Sequence, residues 1–355
     1  MSSLPQPGEI LRGPAAWRGD NLVESREWIQ NLSTEELGEL DQALAAATAS
    51  NKSGGSSLGR VGREDFHLAG LAQRIADLSG EILRGRGFVL IRGLDPERYS
   101  LQEIATIFWG VGAHIGAAMP QNAKGHLLGH VTDLGFKQSD PATRTYQTNA
   151  RQGFHTDSAD VVGLLCLRPA RSGGRSALVS CATLHNEMLE RCPELLRELF
   201  EPFHTDHRGE YRPGDSPYFT APVLNWFADE FSVIYQRDYI ESAQRFEGVP
   251  RLSEVQVAAL DAFDRLADDP SLHLEMDLQP GDMQFIHNHQ MLHDRTAYRD
   301  WAEPERRRHL LRLWLSPPTG RPLPACFAER FGSLEFGRRG GITLTGVAPI
   351  VSWTP

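Results

Sequence analysis

The chain has 355 residues, a length that fits one large domain or two small ones, and its 40% hydrophobic and 23% charged residues are typical of a soluble globular protein. The formal net charge of −10 argues against a protein that coats nucleic acid. The sequence shows neither the apolar core of a signal peptide nor an apolar run long enough for a membrane span. The four cysteines form no Cys-x-x-Cys pair, so we expect free thiols and a cytoplasmic location.

The first part of the chain predicts helices. Ser33 and Glu36 have the spacing of a capping box, and leucines follow them at helical intervals. Predicted helices cover residues 33–44, 66–83 and 101–111. A loop rich in glycine and serine is expected at 51–60, and a buried strand at 87–93. We therefore expect residues 1–85 to form a mainly helical and irregular extension that packs on the core.

From Gly129 onward, short apolar runs predict strands. These runs cover residues 161–167, 176–180, 231–235, 283–287 and 309–315. Helical spacing of apolar residues is found at 184–200 and 252–267. Helices followed by many short strands predict an α+β domain built on a jelly roll. Since no linker divides the chain, we expect a single catalytic domain over residues 1–355.

Two distant fragments carry residues that can bind a metal. His155 and Asp157 form a His-x-Asp pair, whose members project from the same side of an extended chain. His293 lies much later in the sequence. Two imidazoles and one carboxylate can occupy one face of an octahedral Fe(II) and leave positions open for a cosubstrate and O2, although the same ligand types also accept Mn(II) or Co(II). Alone, His-x-Asp equally fits a surface strand with two polar residues.

Three motifs resemble the taurine dioxygenase (TauD/TfdA-like) family of Fe(II)/2-oxoglutarate-dependent dioxygenases. They are Gly-Phe-His-Thr-Asp at 153–157, Leu-His-Asp-Arg-Thr-Ala at 292–297 and the basic stretch at 306–312, and they come in the family's order. The resemblance covers roughly residues 87–317. It implies a double-stranded β-helix (jelly-roll) core with flanking helices, and it implies Fe(II), 2-oxoglutarate and O2 as the cofactor and cosubstrates.

The resemblance assigns His155, Asp157 and His293 as the catalytic iron ligands. His287 and His289 form a nearby His-x-His pattern that could also bind a metal. We favour His293, because the residues that follow it match the family, and we expect His289 to pack beside the site.

The resemblance also places residues around 2-oxoglutarate. Arg308 matches the arginine that binds the distal carboxylate of this cosubstrate, and a guanidinium can hold a carboxylate by two parallel hydrogen bonds. Arg312 matches a second arginine, which helps to bind either the cosubstrate or an anionic substrate. Ser176 stands where the family commonly has a threonine. If 309–315 is a strand, Arg308 and Arg312 face the same side.

These assignments predict an oxygenase that attacks a C–H bond of a small molecule, by hydroxylation or else by desaturation or cyclisation, and releases succinate and CO2. Asp157 argues against a halogenase, because halogenating relatives have a small residue at that position. The substrate is expected to be an amino acid or another small carboxylate or sulfonate, without nucleic-acid or membrane partners, and a homo-oligomer is left open. The alternatives are a non-catalytic ligand-binding jelly roll and a zinc-dependent hydrolase.

Overall fold

The structure is a computed structural model that describes residues 8–52, 58–136, 144–211 and 214–355. Its helices are α1 (Gly19–Ser25), α2 (Thr34–Lys52), α3 (Leu71–Arg84), α4 (Leu101–Ala113), α5 (Cys181–Arg191), α6 (Pro193–Glu198), α7 (Arg237–Ala243), α8 (Glu254–Ala267) and α9 (Ala328–Phe331). Its strands are β1 (Ile29–Asn31), β2 (Phe88–Arg92), β3 (Ala117–Ala118), β4 (Leu128–Val131), β5 (Gln152–His155), β6 (Val161–Arg168), β7 (Ser172–Gly173), β8 (Ser176–Ser180), β9 (Pro202–Asp206), β10 (Tyr218–Pro222), β11 (Leu224–Phe227), β12 (Glu230–Val233), β13 (His273–Met276), β14 (Met283–His287), β15 (Met291–Arg295), β16 (Tyr298–Arg299) and β17 (His309–Ser316).

The largest sheet has seven strands in the order β1-β2-β14-β6-β17-β3, with β4 also paired to β17. Its central strands are the continuous apolar runs of the sequence, as expected for strands that are covered on both faces. Helices α2, α3 and α4 contribute to the cluster that covers one face, where Phe108 packs on Phe285 with ring centroids 6.0 Å apart. The helices of the first part of the chain thus complete the core of this sheet.

A second sheet has four strands in the order β13-β8-β15-β5. Helices α5, α6 and α8 cover it through buried side chains such as Leu184, Leu196 and Phe263. A third apolar cluster joins the two sheets, because Phe88 and Ile286 of the large sheet pack with residues of β8 and β13. The result is a mixed α+β fold with two main sheets.

Most of the predicted elements are present. Ser33 and Glu36 form the expected reciprocal capping bonds, at 2.8 and 3.2 Å, at the start of α2. The predicted strands at 87–93, 161–167, 176–180, 283–287 and 309–315 correspond to β2, β6, β8, β14 and β17. The loop expected at 51–60 differs from the structure in its described part, because α2 continues to Lys52 and Leu58–Arg60 form a short helical turn. Residues 53–57 lie outside the described residues, as do residues 1–7.

Two predicted helices differ from the structure. The helix expected at 66–83 begins only at Leu71, because Phe66 and Leu68 are buried in the core from a non-helical segment. The helix expected at 184–200 is broken into α5 and α6 at Pro193, which has no N–H to continue the hydrogen bonds of the first helix. In the parts of the chain that the structure describes, no helix is both long enough and apolar enough to span a membrane.

Candidate active site

The pairing of two strands brings two histidines together. In the antiparallel pair of β15 with β5, His293 lies directly opposite His155, and their ring centroids are 4.2 Å apart. Asp157 follows two residues later. It lies just beyond β5, because the strand ends at His155 rather than continuing through the motif as the sequence suggested. The residues predicted to bind a metal therefore meet at the end of the four-stranded sheet.

These three side chains are arranged like the ligands of a metal ion. Nε2 of His155 is 3.8 Å from Oδ1 of Asp157, and Nε2 of His293 is 3.9 Å from Oδ2. All three residues are buried, and the potential ligand atoms lie within 4.8 Å of one another. Within the described ranges, no other cluster of His, Cys, Asp and Glu side chains has this form.

The surroundings of the two histidines suit a metal. Nδ1 of His155 donates to the carbonyl oxygen of Gly153 at 2.8 Å, which leaves the Nε2 lone pair able to accept. The amide of Gln152 donates to this lone pair at 2.9 Å, and a bound cation would replace that contact. Burial, and then the neighbouring His155, lowers the pKa of His293 to about 3, so its imidazole is neutral near neutral pH. Two imidazoles beside one carboxylate fit a divalent transition metal.

Asp157 is held as a carboxylate by neighbours on β17. Arg312 Nη1 and Trp314 Nε1 both donate to its Oδ2, at 3.0 and 2.8 Å. Burial alone would raise the pKa of Asp157, but Arg312, His293 and His155 outweigh burial and lower the pKa to about 2. The backbone of Asp157 is fixed separately, by Asn288 in the turn between β14 and β15.

The alternative metal-binding pattern, His287 and His289, contacts other residues. Nε2 of His289 is 2.9 Å from Oδ1 of Asp160, whose carboxylate also accepts from Arg339 at 2.8 Å. His287 contacts Gln290, and both histidines are fully buried. The structure thus brings His293, and not His289, next to His155 and Asp157.

A small cavity of about 40 Å³ adjoins the three residues and is lined by Ser176 and Arg308. Arg308 immediately precedes β17 instead of lying on it, yet it reaches the same cavity as Arg312. Its guanidinium is almost fully buried beside Tyr298, with Cζ 5.2 Å from the ring centroid. Burial lowers the pKa of Arg308. Among the described residues no carboxylate forms an ion pair with it, although Asp300 acts on it electrostatically, and its Nη1 has no hydrogen bond.

The other two residues predicted to bind the cosubstrate, Ser176 and Arg312, already form hydrogen bonds within the protein. Ser176 lines the small cavity, and its Oγ donates to Gln284 Oε1 at 3.2 Å. Besides its bond to Asp157, Arg312 donates to Gln121 Oε1 at 2.7 Å and lies between the rings of Tyr146 and Trp314. The guanidinium of Arg312 is therefore already occupied within the protein.

A larger cavity of about 270 Å³ opens onto the same residues. Gln121, Tyr146 and Tyr239 line it.

Several contacts were missed from the sequence. Arg295 lies two residues after His293, a spacing that could have revealed it. Its guanidinium bonds the carbonyl of Thr148 at 3.0 Å and packs on Tyr298 beside Arg308. Arg144, Glu210 and Arg330, which line the larger cavity, come from three separate segments and leave no motif.

The chain is similar to oxygenases of known type. The model of the family described as "Taurine catabolism dioxygenase TauD, TfdA family" matches residues 52–314. The chain is 30% identical to "FR-33289 synthase" of Streptomyces rubellomurinus (strain ATCC 31215), over 91% of this chain and 97% of that protein. It is 28% identical to "Taurine hydroxylase-like protein SAT17" of Stachybotrys chartarum (strain CBS 109288 / IBT 7711), over 87% of this chain and 82% of that one.

Solved structures share the fold. The structure of asparagine oxygenase in complex with Fe(II), 2S,3S-3-hydroxyasparagine and succinate has a TM-score of 0.64, with 16% identity over 81% of this chain and 93% of that one. The non-heme iron oxygenase OrfP in complex with Fe, succinate and (3S)-hydroxy-L-Arg has a TM-score of 0.60, with 16% identity over 81% of this chain and 94% of that one.

Proposed function

Because the chain belongs to the taurine catabolism dioxygenase TauD, TfdA family, whose members are Fe(II)- and 2-oxoglutarate-dependent dioxygenases, we propose that His155, Asp157 and His293 bind its iron. The protein is an oxidoreductase that acts on a small molecule. When bound with 2-oxoglutarate and O2, iron supplies the oxidising chemistry that breaks a substrate C–H bond, with release of succinate and CO2. The ligand assignment is supported by the convergence of two imidazoles and one carboxylate.

The cosubstrate binds in the small cavity. Arg308 pairs there with the distal carboxylate of 2-oxoglutarate, and the hydroxyl of Ser176 contributes a further hydrogen bond. The observation that carries this proposal is the buried guanidinium of Arg308, which has no carboxylate partner among the described residues although a buried charge is costly without one. An anion is needed there, and 2-oxoglutarate brings one.

The residues around Asp157 keep its carboxylate ionised, and burial limits the access of water to the metal site. Arg312 and Trp314 hold the carboxylate in its ionised form, and their bonds to Oδ2 leave Oδ1 directed toward His155. Burial of the three ligands limits the access of water. A non-catalytic binding protein or a zinc hydrolase would not explain the unpaired Arg308 beside these ligands.

The core of the fold is a double-stranded β-helix (jelly roll), in which the four-stranded sheet and the large sheet face each other. We assign residues 1–355 to a single catalytic domain, with residues 1–85 as an extension on the core. The packing of α2 and α3 on the large sheet supports this division. All four cysteines are free thiols, which supports a cytoplasmic location.

The expected reaction is hydroxylation of a small molecule that carries an acidic group, such as an amino acid or another small carboxylate or sulfonate. A cavity of about 270 Å³ suits a small metabolite. The solved structures of similar fold contain hydroxylated amino acids, which agrees with this size.

The proposal is tested by a metabolite screen that measures succinate formed from 2-oxoglutarate. The protein is loaded with Fe(II), and parallel samples receive Zn(II) or no metal. We expect succinate formation that requires Fe(II) and is stimulated by one class of small molecule. Equal succinate formation with Zn(II), or the absence of 2-oxoglutarate binding to the iron-loaded protein, would contradict the proposal.

A further inference from the structure

The part of the chain that follows β17 contacts the metal site. We call residues 317–355 the C-terminal segment; it lies beyond residue 314, where the match to the family model ends. Within this segment the side chain of Arg339 is only 1% exposed, although it lies in a stretch without helix or strand. A buried guanidinium is costly unless it is paired, so the partner of Arg339 indicates what the segment holds in place.

The partner of Arg339 is the buried carboxylate of Asp160. Nε of Arg339 donates to both carboxylate oxygens of Asp160, at 2.8 Å each. Among the described residues, Arg339 is the only arginine or lysine that forms an ion pair with Asp160. His289 contacts only Oδ1 of this carboxylate, so the bond to Arg339 remains if His289 is removed. Arg339 therefore connects the C-terminal segment to Asp160.

Asp160 belongs to the loop that carries the proposed metal ligand Asp157. This loop, between β5 and β6, is bonded on one side by Asn288, whose side chain contacts the backbone of Asp157 and whose N–H donates to the carbonyl of Asp160 at 2.9 Å. The ion pair with Arg339 holds the loop from the C-terminal segment. Since only Ser158 and Ala159 separate Asp160 from Asp157, a displacement of Asp160 also moves Asp157.

The C-terminal segment also bonds the backbone of this loop. The N–H of Gly341 donates to the carbonyl of Ser158 at 2.6 Å, and the N–H of Ile342 donates to the carbonyl of Pro120 at 2.7 Å. At Gly341 φ is +75°, and a Cβ at this residue would lie 2.8 Å from the carbonyl oxygen of Pro120, so the close passage requires a glycine. Ile342 then lines the larger cavity. The residues next to Arg339 thus connect two sides of the active site.

We propose that Arg339 is a positioning residue of the iron site: through Asp160 it holds the loop in the conformation in which the carboxylate of Asp157 binds the metal. Arg339 lines neither of the two cavities of the active site, so it acts through Asp160 and not by contact with a ligand. The proposal rests on the assignment of Asp157 as an iron ligand, and it gives the C-terminal segment a role in metal binding.

The direction of the change in metal affinity separates the position of the loop from the charge of Arg339. Because Arg339 is a cation, its removal would by electrostatics alone strengthen the binding of a divalent metal nearby. Release of the loop has the opposite effect, because the carboxylate of Asp157 is then no longer held in one geometry beside His155 and His293. Weaker metal binding after the loss of Arg339 therefore reports the position of the loop.

The test measures the Mn(II) affinity of the full chain by calorimetry. The first variant, Arg339→Gln, removes the cation and leaves Asp160 without its ion pair. In the second, Arg339→Gln is combined with Asp160→Asn, which removes one charge of each sign and leaves no buried ion unpaired. The third, Arg339→Lys, keeps the charge. Arg92→Gln is the matched control, because Arg92 pairs at 2.7 Å with the fully buried carboxylate of Asp282, and neither residue lines the two cavities.

We expect Arg339→Gln and the double variant each to bind Mn(II) about ten-fold or more weakly than the wild type, which is the usual loss when a residue that supports a metal ligand is removed. Arg339→Lys should restore part of the affinity, because an ammonium group can pair with Asp160 but does not reproduce the geometry of the guanidinium. Arg92→Gln should unfold at a lower urea concentration than the wild type and keep its Mn(II) affinity.

The proposal is overturned if the double variant binds Mn(II) like the wild type, or if Arg92→Gln weakens binding as much as Arg339→Gln does. Circular dichroism and urea unfolding show whether each variant is folded. Should Arg339→Gln not fold, the double variant decides, because it leaves no buried charge unpaired. Failure of the wild type itself to bind Mn(II) would be recognised separately, since it contradicts the assignment of the metal ligands on which this proposal rests.

Discussion

The side-chain amide of Asn288 binds the backbone of Asp157 on both sides. Its Oδ1 accepts from the N–H of Asp157 at 2.8 Å, while its Nδ2 donates to the carbonyl of Asp157 and, at 2.9 Å, to that of Ala159. Asn288 itself is buried in the turn between β14 and β15. His293 lies on β15, the strand that follows this turn. The amide of Asn288 therefore connects the loop that contains Asp157 to the strand that carries His293.

We expect Asn288→Ala to weaken metal binding even though Asn288 is not a ligand. The substitution leaves buried N–H and C=O groups of the Asp157 loop without partners, at a cost of about 2 kcal/mol in the free energy of unfolding. Urea unfolding and Mn(II) titration measure the two effects. Asn225→Ala is the matched control, because Asn225 is also buried and donates to the carbonyl of Pro222 at 2.9 Å. If both variants lose stability but keep their metal affinity, Asn288 does not position Asp157.

Replacing the histidines one at a time tests the ligand assignment. His155→Ala and His293→Ala should each abolish iron binding and turnover while the fold persists. His289→Ala should retain the metal but lose stability, since it leaves Asp160 with one partner fewer and opens space beside Phe327 and Phe331. Metal content by elemental analysis and thermal unfolding give the readouts. Loss of the metal from His289→Ala but not from His293→Ala would reverse the assignment.

Arg308→Ala should raise the KM for 2-oxoglutarate strongly. The lost charge-assisted pair is worth about 2–5 kcal/mol when its partner is left buried and unpaired. Arg308→Lys should restore only part of the affinity, because an ammonium group lacks the planar fork of a guanidinium. Arg306→Ala serves as the control, since Arg306 is half exposed and 3.9 Å from Glu303. Unchanged 2-oxoglutarate kinetics in Arg308→Ala would transfer the role to a neighbouring arginine.

The strands and the three proposed ligands could be predicted because their signals are local. His155 and Asp157 are two residues apart, and His293 is followed by a recognisable motif. The continuous apolar runs of β6, β14 and β17 are typical of buried strands, so their positions were predicted closely. Such patterns depend on neighbouring residues and can be read without knowledge of the tertiary structure.

Other features depend on tertiary packing and left no such signal. Phe66 has the spacing of a helix but fills the core from a non-helical segment, where Trp109 also bonds the backbone of Val61. Arg144, Glu210 and Arg330 come together only because distant segments meet at the cavity. The bond between Trp314 and Asp157 could not be predicted either, since the two residues lie on different strands or loops.

Arg312→Gln should make metal binding more sensitive to acid. A metal ion and a proton compete for the carboxylate of Asp157. In the wild type, Arg312 is the largest influence that lowers the pKa of Asp157, to about 2, whereas burial raises it. Without Arg312 the pKa rises, so metal affinity is lost at a higher pH as the solution is acidified. Mn(II) affinity is measured for both proteins from about pH 7.5 to about pH 5. This range is suitable because a carboxyl group with a raised pKa already begins to take up protons within it. Parallel pH profiles would show that Arg312 does not control the ionisation of Asp157.

Asp157→Ala should abolish oxygenation and make the stability of the protein depend on chloride. The substitution removes the acceptor of Arg312 Nη1 and Trp314 Nε1, both of which are buried. Leaving the charge of Arg312 unpaired in the interior costs about 3–5 kcal/mol in the free energy of unfolding, so the metal-free variant should unfold at a lower temperature than the wild type. A chloride ion can take the place of the carboxylate between these two donors, and an anion that binds only the folded state raises its Tm.

Thermal unfolding in sodium chloride is therefore compared with unfolding in sodium gluconate at the same ionic strength. The wild type should show no difference between the two salts, while the variant should be stabilised by chloride. Products are examined by mass with Fe(II), 2-oxoglutarate and a substrate that the wild type oxidises. We expect loss of product rather than chlorination, because the fate of the substrate also depends on how it is held. Hydroxylation near the wild-type level would show that Asp157 is not an essential ligand.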